Sequence, residues 1–147
     1  MVHSFVVARC DYCNSVYYGA SAVHIRVRPL QNVLNAAARL VVRKGKYDLR
    51  DVLHWLPVQQ RTECKVSLLI YKSLHQAAPL YLTEMCVPVS AIQWRHRLRS
   101  AVSGDLEVPR CNLARYRQRS FNVSGPSLWN SLPLTVRDSS LTLTQRL

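Results

Sequence analysis

Residues 53–82, LHWLPVQQRTECKVSLLIYKSLHQAAPLYL, constrain the fold more than any other stretch of this chain. Two prolines punctuate the segment. Pro57 suits the first turn of a helix, whose leading amides lack intrahelical partners in any case. Pro79 has no amide hydrogen and pushes Ala78 out of the helical region, so the spacing predicts a long helix closing at Ala78-Pro79. Val66, Leu69, Ile70 and Leu74, with Cys64, Leu68 and Tyr71, make that helix apolar on most sides. Arg61, Lys65 and Lys72 leave it one narrow cationic stripe.

Two more helices are predicted upstream. Across residues 2–18, Val6, Cys10, Cys13 and Tyr17 recur on one face at helical spacing, and Gly19 is a natural stop. Pro29 then opens a second helix, on which Leu30, Val33, Leu34, Ala37, Leu40 and Val41 form an apolar stripe ended by Gly45. Arg43 and Lys44 fall in its last turn, where cations complement the helix dipole. Three helices with short joins predict a helical core, so residues 1–88 read as one helical module.

After Pro88 the character changes, and residues 89–147 read as a second, basic segment. Gly, Pro, Ser and Asn punctuate short apolar pieces with strand-like alternation. Trp94-Arg95-His96-Arg97-Leu98-Arg99 places three arginines on one side of an extended strand, with Leu106-Glu107-Val108 as its partner across Ser103-Gly104-Asp105. Arg115, Arg117 and Arg119 repeat the period of two, and residues 126–132 read as a helical turn burying Leu128 and Trp129. The tail from Arg137 is polar. The expected fold is mainly α: a three-helix core, then a small β-hairpin region and a short C-terminal helix, α+β in class.

Charge speaks to partners. The chain carries 20 Lys+Arg against 8 Asp+Glu, a net +12, and all but Lys44, Lys46, Lys65 and Lys72 of the cations are arginines. A polyanion is the default partner for such a surplus, and arginine's planar fork suits phosphate oxygens and base edges. Like charges facing each other across paired strands are destabilising, and a polyanion would compensate the combs 95/97/99 and 115/117/119. Trp94, His96 and Tyr116 interleave with them, as a surface for single-stranded or A-form nucleic acid requires. The alternative is that each comb is the solvated face of an amphipathic strand. The candidate RNA- or DNA-binding residues are Arg39, Arg43, Lys44, Arg61, Lys65, Lys72, Arg95, Arg97, Arg99, Arg115, Arg117 and Arg119.

Catalytic and cofactor chemistry finds no pattern to stand on. Cys10-Asp11-Tyr12-Cys13 matches Cys-x-x-Cys, but zinc normally requires a second pair, and Cys64, Cys86 and Cys111 are isolated. A redox motif opens a helix after a strand, whereas this one falls within a predicted helix. No Gly-x-Ser-x-Gly, His-Glu-x-x-His, Asp-Asp pair or glycine-rich phosphate loop occurs. The expectation is a chain that is not an enzyme, with no cofactor, no metal and no small-molecule substrate. The amino terminus has no secretory-signal pattern, and no run approaches the roughly 18 apolar residues of a membrane span. Five cysteines in no regular framework fit reduced thiols in the nucleus or cytoplasm.

The order of motifs resembles the carboxy-terminal, post-polymerase region of LINE-type (non-LTR) retrotransposon reverse transcriptases of the Jockey and chicken-repeat kind. The likeness runs through Val2-His3-Ser4-Phe5, Asp11-Tyr12-Cys13-Asn14-Ser15, residues 30–41 (LQNVLNAAARLV), Leu53-His54-Trp55-Leu56-Pro57-Val58 and the helix from Lys65 to Ala78. It continues at Leu98-Arg99-Ser100 and Val108-Pro109-Arg110, and closes on Phe121-Asn122-Val123 with Leu128-Trp129-Asn130-Ser131-Leu132-Pro133. The resemblance implies a thumb-adjacent or post-thumb module that supports template and primer and carries no active-site residue. Position 10 is usually Leu in that family, which makes the Cys-x-x-Cys match accidental. The chain departs from the family in a shorter link between Tyr47 and Leu53, at Arg117-Gln118, and in lacking the basic amphipathic helix at its end. Two expectations follow. One is a non-catalytic chain with residual, sequence-nonspecific RNA or DNA binding. The other is a chain inert by itself, whose faces only pack on a polymerase domain, supplied in trans.

Overall fold

The computed structural model describes residues 2–18, 23–42, 55–95, 97, 99–110 and 120–137. These residues are mainly helical: α1 (Val2–Asp11), α2 (Val23–Val42), α3 (Val58–Leu74), α4 (Leu80–Thr83), α5 (Arg99–Val102), α6 (Phe121–Ser131) and α7 (Leu134–Arg137), with 3₁₀ turns at Asn14–Tyr17 and Val89–Ala91. The chain packs as two compact units, Met1–Val66 and Ser67–Leu147, with α3 contributing to both. The composition change lies at Pro88, further along.

In the first unit, one residue from each of α1, α2 and α3 meets in an apolar cluster: Cys10, Leu34 and Val58. Val6, Val7, Val27, Leu30 and Trp55 pack around it. α1 ends at Asp11 rather than running to residue 18, because Cys13 takes a left-handed conformation at φ 52°. That geometry costs an L-residue free energy and breaks the ladder. α2 begins at Val23, so Pro29 lies inside the helix instead of opening it. Among the described side chains of α2, Leu34, Ala37 and Ala38 are buried, while Val33, Leu40 and Val41 of the expected stripe are exposed. The termini expected at Gly19 and Gly45 lie outside the described residues.

α3 starts one residue after Pro57. The Pro57 carbonyl accepts the Arg61 N–H at 3.0 Å, and the Val58 N–H is capped by Gln31 Oε1 of α2 at 2.9 Å. A side chain from another helix thus satisfies one of the leading amides that a helix cannot satisfy itself. α3 stops at Leu74, well before Pro79. The Gln76 N–H bonds the Ser73 carbonyl at 3.3 Å and the Ala77 N–H bonds the Lys72 carbonyl at 2.8 Å, with Gln76 at φ 56°. This is a Schellman ending, built around glutamine where glycine is usual. Pro79 instead precedes α4.

The second unit buries Ile70, Tyr71, Cys86, Val89, Leu106 and Trp129. The β-hairpin expected between residues 94–99 and 106–108 is not formed, and no strand occurs among the described residues. Trp94 and Arg95 lie in a turn, and Arg99 opens α5. Leu106 does take one antiparallel bridge, but with Pro88. The Val89 N–H donates to the Asp105 carbonyl at 2.9 Å and the Glu107 N–H to the Val87 carbonyl at 2.8 Å. A competing partner, the loop after α4, therefore holds the edge that was assigned to the arginine strand. Towards the end, the expected turn at 126–132 is a longer helix, α6, with Pro126 inside it. Trp129 is buried and donates from Nε1 to the Gly104 carbonyl at 3.2 Å, whereas Leu128 is half-buried.

Candidate nucleic-acid interface

The candidate cations fall into three situations. Arg43, Lys44, Arg115, Arg117 and Arg119 lie outside the described residues, as does the side chain of Arg99. Arg39 stands exposed on α2 and Lys72 half-buried on α3. The remaining four form two local arrangements, one in each unit.

In the first unit, Arg61 and Lys65 sit one turn apart on α3 and both reach the C-terminal end of α1. Arg61 donates from Nε to the Leu56 carbonyl at 2.8 Å and from Nη1 to Asp11 Oδ2 at 2.8 Å. Its side chain is only 16% exposed. Lys65 Nζ donates to the Asp11 carbonyl at 2.6 Å, a cation on the negative end of the α1 dipole. These residues, with Asn14, Leu56 and Cys64, line a cleft of about 400 Å³. Asn14 is 1% exposed; it donates weakly to Asp11 Oδ1 at 3.4 Å, while its own Oδ1 has no hydrogen-bond partner among the described residues. Asn14, Leu56 and Cys64 carried no signal in the sequence, since nothing in it places position 14 beside position 61.

In the second unit, the Trp94 indole is 84% exposed, the most exposed large apolar side chain among the described residues. Arg95 and Arg97 are exposed beside it in the chain. Arg95 also faces Glu107 at 3.6 Å, with both side chains substantially in solvent. Such a surface pair is a weak restraint, so the guanidinium can exchange partners at little cost. The fold keeps cations next to an aromatic face here, but on a turn rather than along a strand.

Three of the described acids are engaged locally. Asp11 holds Arg61, Glu107 faces Arg95, and Asp105 bonds Arg137 beside the turn that precedes Leu106. The Cys-x-x-Cys residues separate: Cys10 is buried in the helical cluster and Cys13 is exposed. Burial pushes the Cys10 thiol above its ordinary range, Asp11 adds to the effect, and Arg61 opposes it. Among the described residues, no three His, Cys, Asp or Glu side chains gather where they could hold a metal ion. No described helix is long and apolar enough to cross a membrane. No protein-family model, curated protein or solved structure matches this chain.

Proposed function

We propose that this chain corresponds to the post-polymerase region of a LINE-type reverse transcriptase and acts as a non-catalytic, sequence-nonspecific binder of single-stranded RNA or DNA. The observation that carries the binding reading is Trp94, an indole 84% exposed with Arg95 and Arg97 on the same turn. A bare tryptophan among arginines is a stacking platform for a base, with guanidinium groups placed for the adjoining phosphates. The net charge of +12 supplies the long-range attraction. The origin rests on the order of motifs from Val2 to Pro133.

The test is titration of the full chain with a single-stranded oligonucleotide while following tryptophan fluorescence. Trp129 is buried and Trp55 half-buried, so stacking quenches mainly Trp94. Trp94→Ala should remove the quenching, and Arg95→Glu with Arg97→Glu should weaken the binding. Retention that does not change between low and high salt would sink this reading, because phosphate contacts always release counterions.

A second reading has its own support. Phe5, Tyr12, Val16, Leu40 and Val41 of the first unit are exposed apolar side chains. Exposed apolar side chains offer surface for another protein to cover. Under this reading the chain packs on a polymerase domain in trans and binds no nucleic acid itself, so the arginine reversals leave its behaviour unchanged.

A further inference from the structure

We propose that the cleft at the end of α1 is a phosphate-binding site, formed by Arg61 and Lys65 against Asn14 and Leu56. The cleft is lined by two cations against one carboxylate and the partial negative charge of the α1 C-terminus, which leaves a small positive surplus for an anion to meet. Its volume of about 400 Å³ suits a small ligand of nucleotide size.

The donors are held ready. Arg61 is fixed through Nε to Leu56 and through Nη1 to Asp11, which orients the rest of its fork without further loss of freedom on binding. Lys65 commits one of the three donors of an ammonium to the Asp11 carbonyl. A phosphate monoester brings three acceptor oxygens and about −1.5 to −2 charges near neutral pH, more than a carboxylate can offer these two groups, whereas a backbone diester brings about one. Leu56 gives the cleft one apolar wall, and the exposed Cys64 thiol stands in its lining. The phosphate can come from a free nucleotide or from a polynucleotide backbone. The site shares no residue with the Trp94 turn, so the two readings fail separately.

Cys64 supplies the readout and Cys13, exposed but not in the lining, supplies the internal control. Alkylation of the full chain by iodoacetamide is followed at each cysteine by mass spectrometry, with inorganic phosphate, adenosine 5′-monophosphate, adenosine, or a 5′-hydroxyl single-stranded oligonucleotide present. Slower modification of Cys64 but not Cys13 with the phosphate-bearing probes, and no effect of adenosine, supports the site. Protection by phosphate and the monophosphate alone assigns a free monoester; protection by the oligonucleotide as well assigns the polynucleotide backbone. No protection of Cys64 by any phosphate-bearing probe, equal slowing at both cysteines, or protection by adenosine overturns it. Cys64→Glu places a like charge beside the phosphate on an exposed helical position and should weaken binding on the order of ten-fold, between the bulk-water and surface limits for charges about 4 Å apart. Cys64→Ser should retain the thermal shift that phosphate gives the parent chain. Equal shifts for the Glu and Ser variants count against the proposal.

Discussion

The Asn130 carboxamide bonds both backbone groups of Leu106: the Leu106 N–H donates to Asn130 Oδ1 at 2.8 Å, and Asn130 Nδ2 donates to the Leu106 carbonyl at 2.9 Å. A side chain on α6 thereby occupies the place a neighbouring strand's peptide would take. Leu106 is buried, so neither group can turn to water instead. Replacing Asn130 by Ala should cost about 2 kcal/mol or more, since each of the two orphaned groups forfeits about 1–3 kcal/mol. Asn130→Asp keeps the acceptor, loses the donor, and should fall between. Urea unfolding midpoints at constant slope check both.

Gln76 ends α3 in the left-handed region at φ 56°. An L side chain pays roughly 1–2 kcal/mol for that conformation, and glycine pays almost none of it. Gln76→Gly should therefore stabilise the chain by about 1 kcal/mol, offset slightly by the freer unfolded backbone. A lower unfolding midpoint would contradict the helix ending described.

Gly125 gives the opposite case, a glycine inside a helix with ordinary dihedrals. A Cβ there would meet Ile70 Cδ1 at 3.5 Å and the Phe121 ring at 3.5 Å, normal van der Waals distances. Gly125→Ala should nevertheless be neutral to destabilising, because the roughly 0.5–1 kcal/mol of helix propensity is offset by Pro126 Cδ, which crowds the Cβ of a helical residue before it. Thermal unfolding of the variant reads it directly.

Alkaline pH should destabilise the fold. Burial raises the Cys86 thiol, partly opposed by its hydrogen bond with Ser73, and burial together with Asp11 raises Cys10. Both native thiols hold their protons more tightly than the unfolded chain does, so stability is full below the unfolded value near pH 9 and declines as pH rises through the native values. Burial, with the Glu63 charge, raises the Tyr18 hydroxyl and steepens the decline at higher pH. Unfolding free energy measured from neutral pH upward should show this slope, and Cys86→Ala should flatten part of it.

Salt should separate the roles of the cations. If the exposed Arg95 and Arg97 meet phosphates, each reversal to Glu lowers the dependence of log K on log salt by roughly one unit or more. Arg39→Glu, on α2 of the other unit, tests whether the backbone track extends beyond the Trp94 turn. An unchanged slope in all three variants would place the phosphate contacts on cations other than Arg39, Arg95 and Arg97.

The sequence by itself determined the three long amino-terminal helices but not the short helices at 80–83, 99–102 and 134–137, because apolar periodicity and flanking prolines are local quantities that only a long helix displays clearly. It placed α1, α2, α3 and the helix carrying Trp129, and it marked Trp94 with Arg95 and Arg97 as the aromatic and cationic stretch. Helix ends were less legible: α1 and α3 stop at left-handed Cys13 and Gln76, residues with no intrinsic preference for that conformation, where the surrounding packing overrides propensity. Strand partners were not legible at all. Alternation around Leu106 predicted a strand that does not form; Leu106 keeps one isolated bridge to Pro88, and the choice of Val87–Val89 and Asn130 over residues 94–99 as its partners depends on which groups the fold brings near. The same holds for the cleft, where Asp11 and Asn14 meet Arg61 and Lys65 across about fifty residues of chain. Tertiary structure alone decides such pairs, because their energy depends on distance in space and leaves no trace in local spacing.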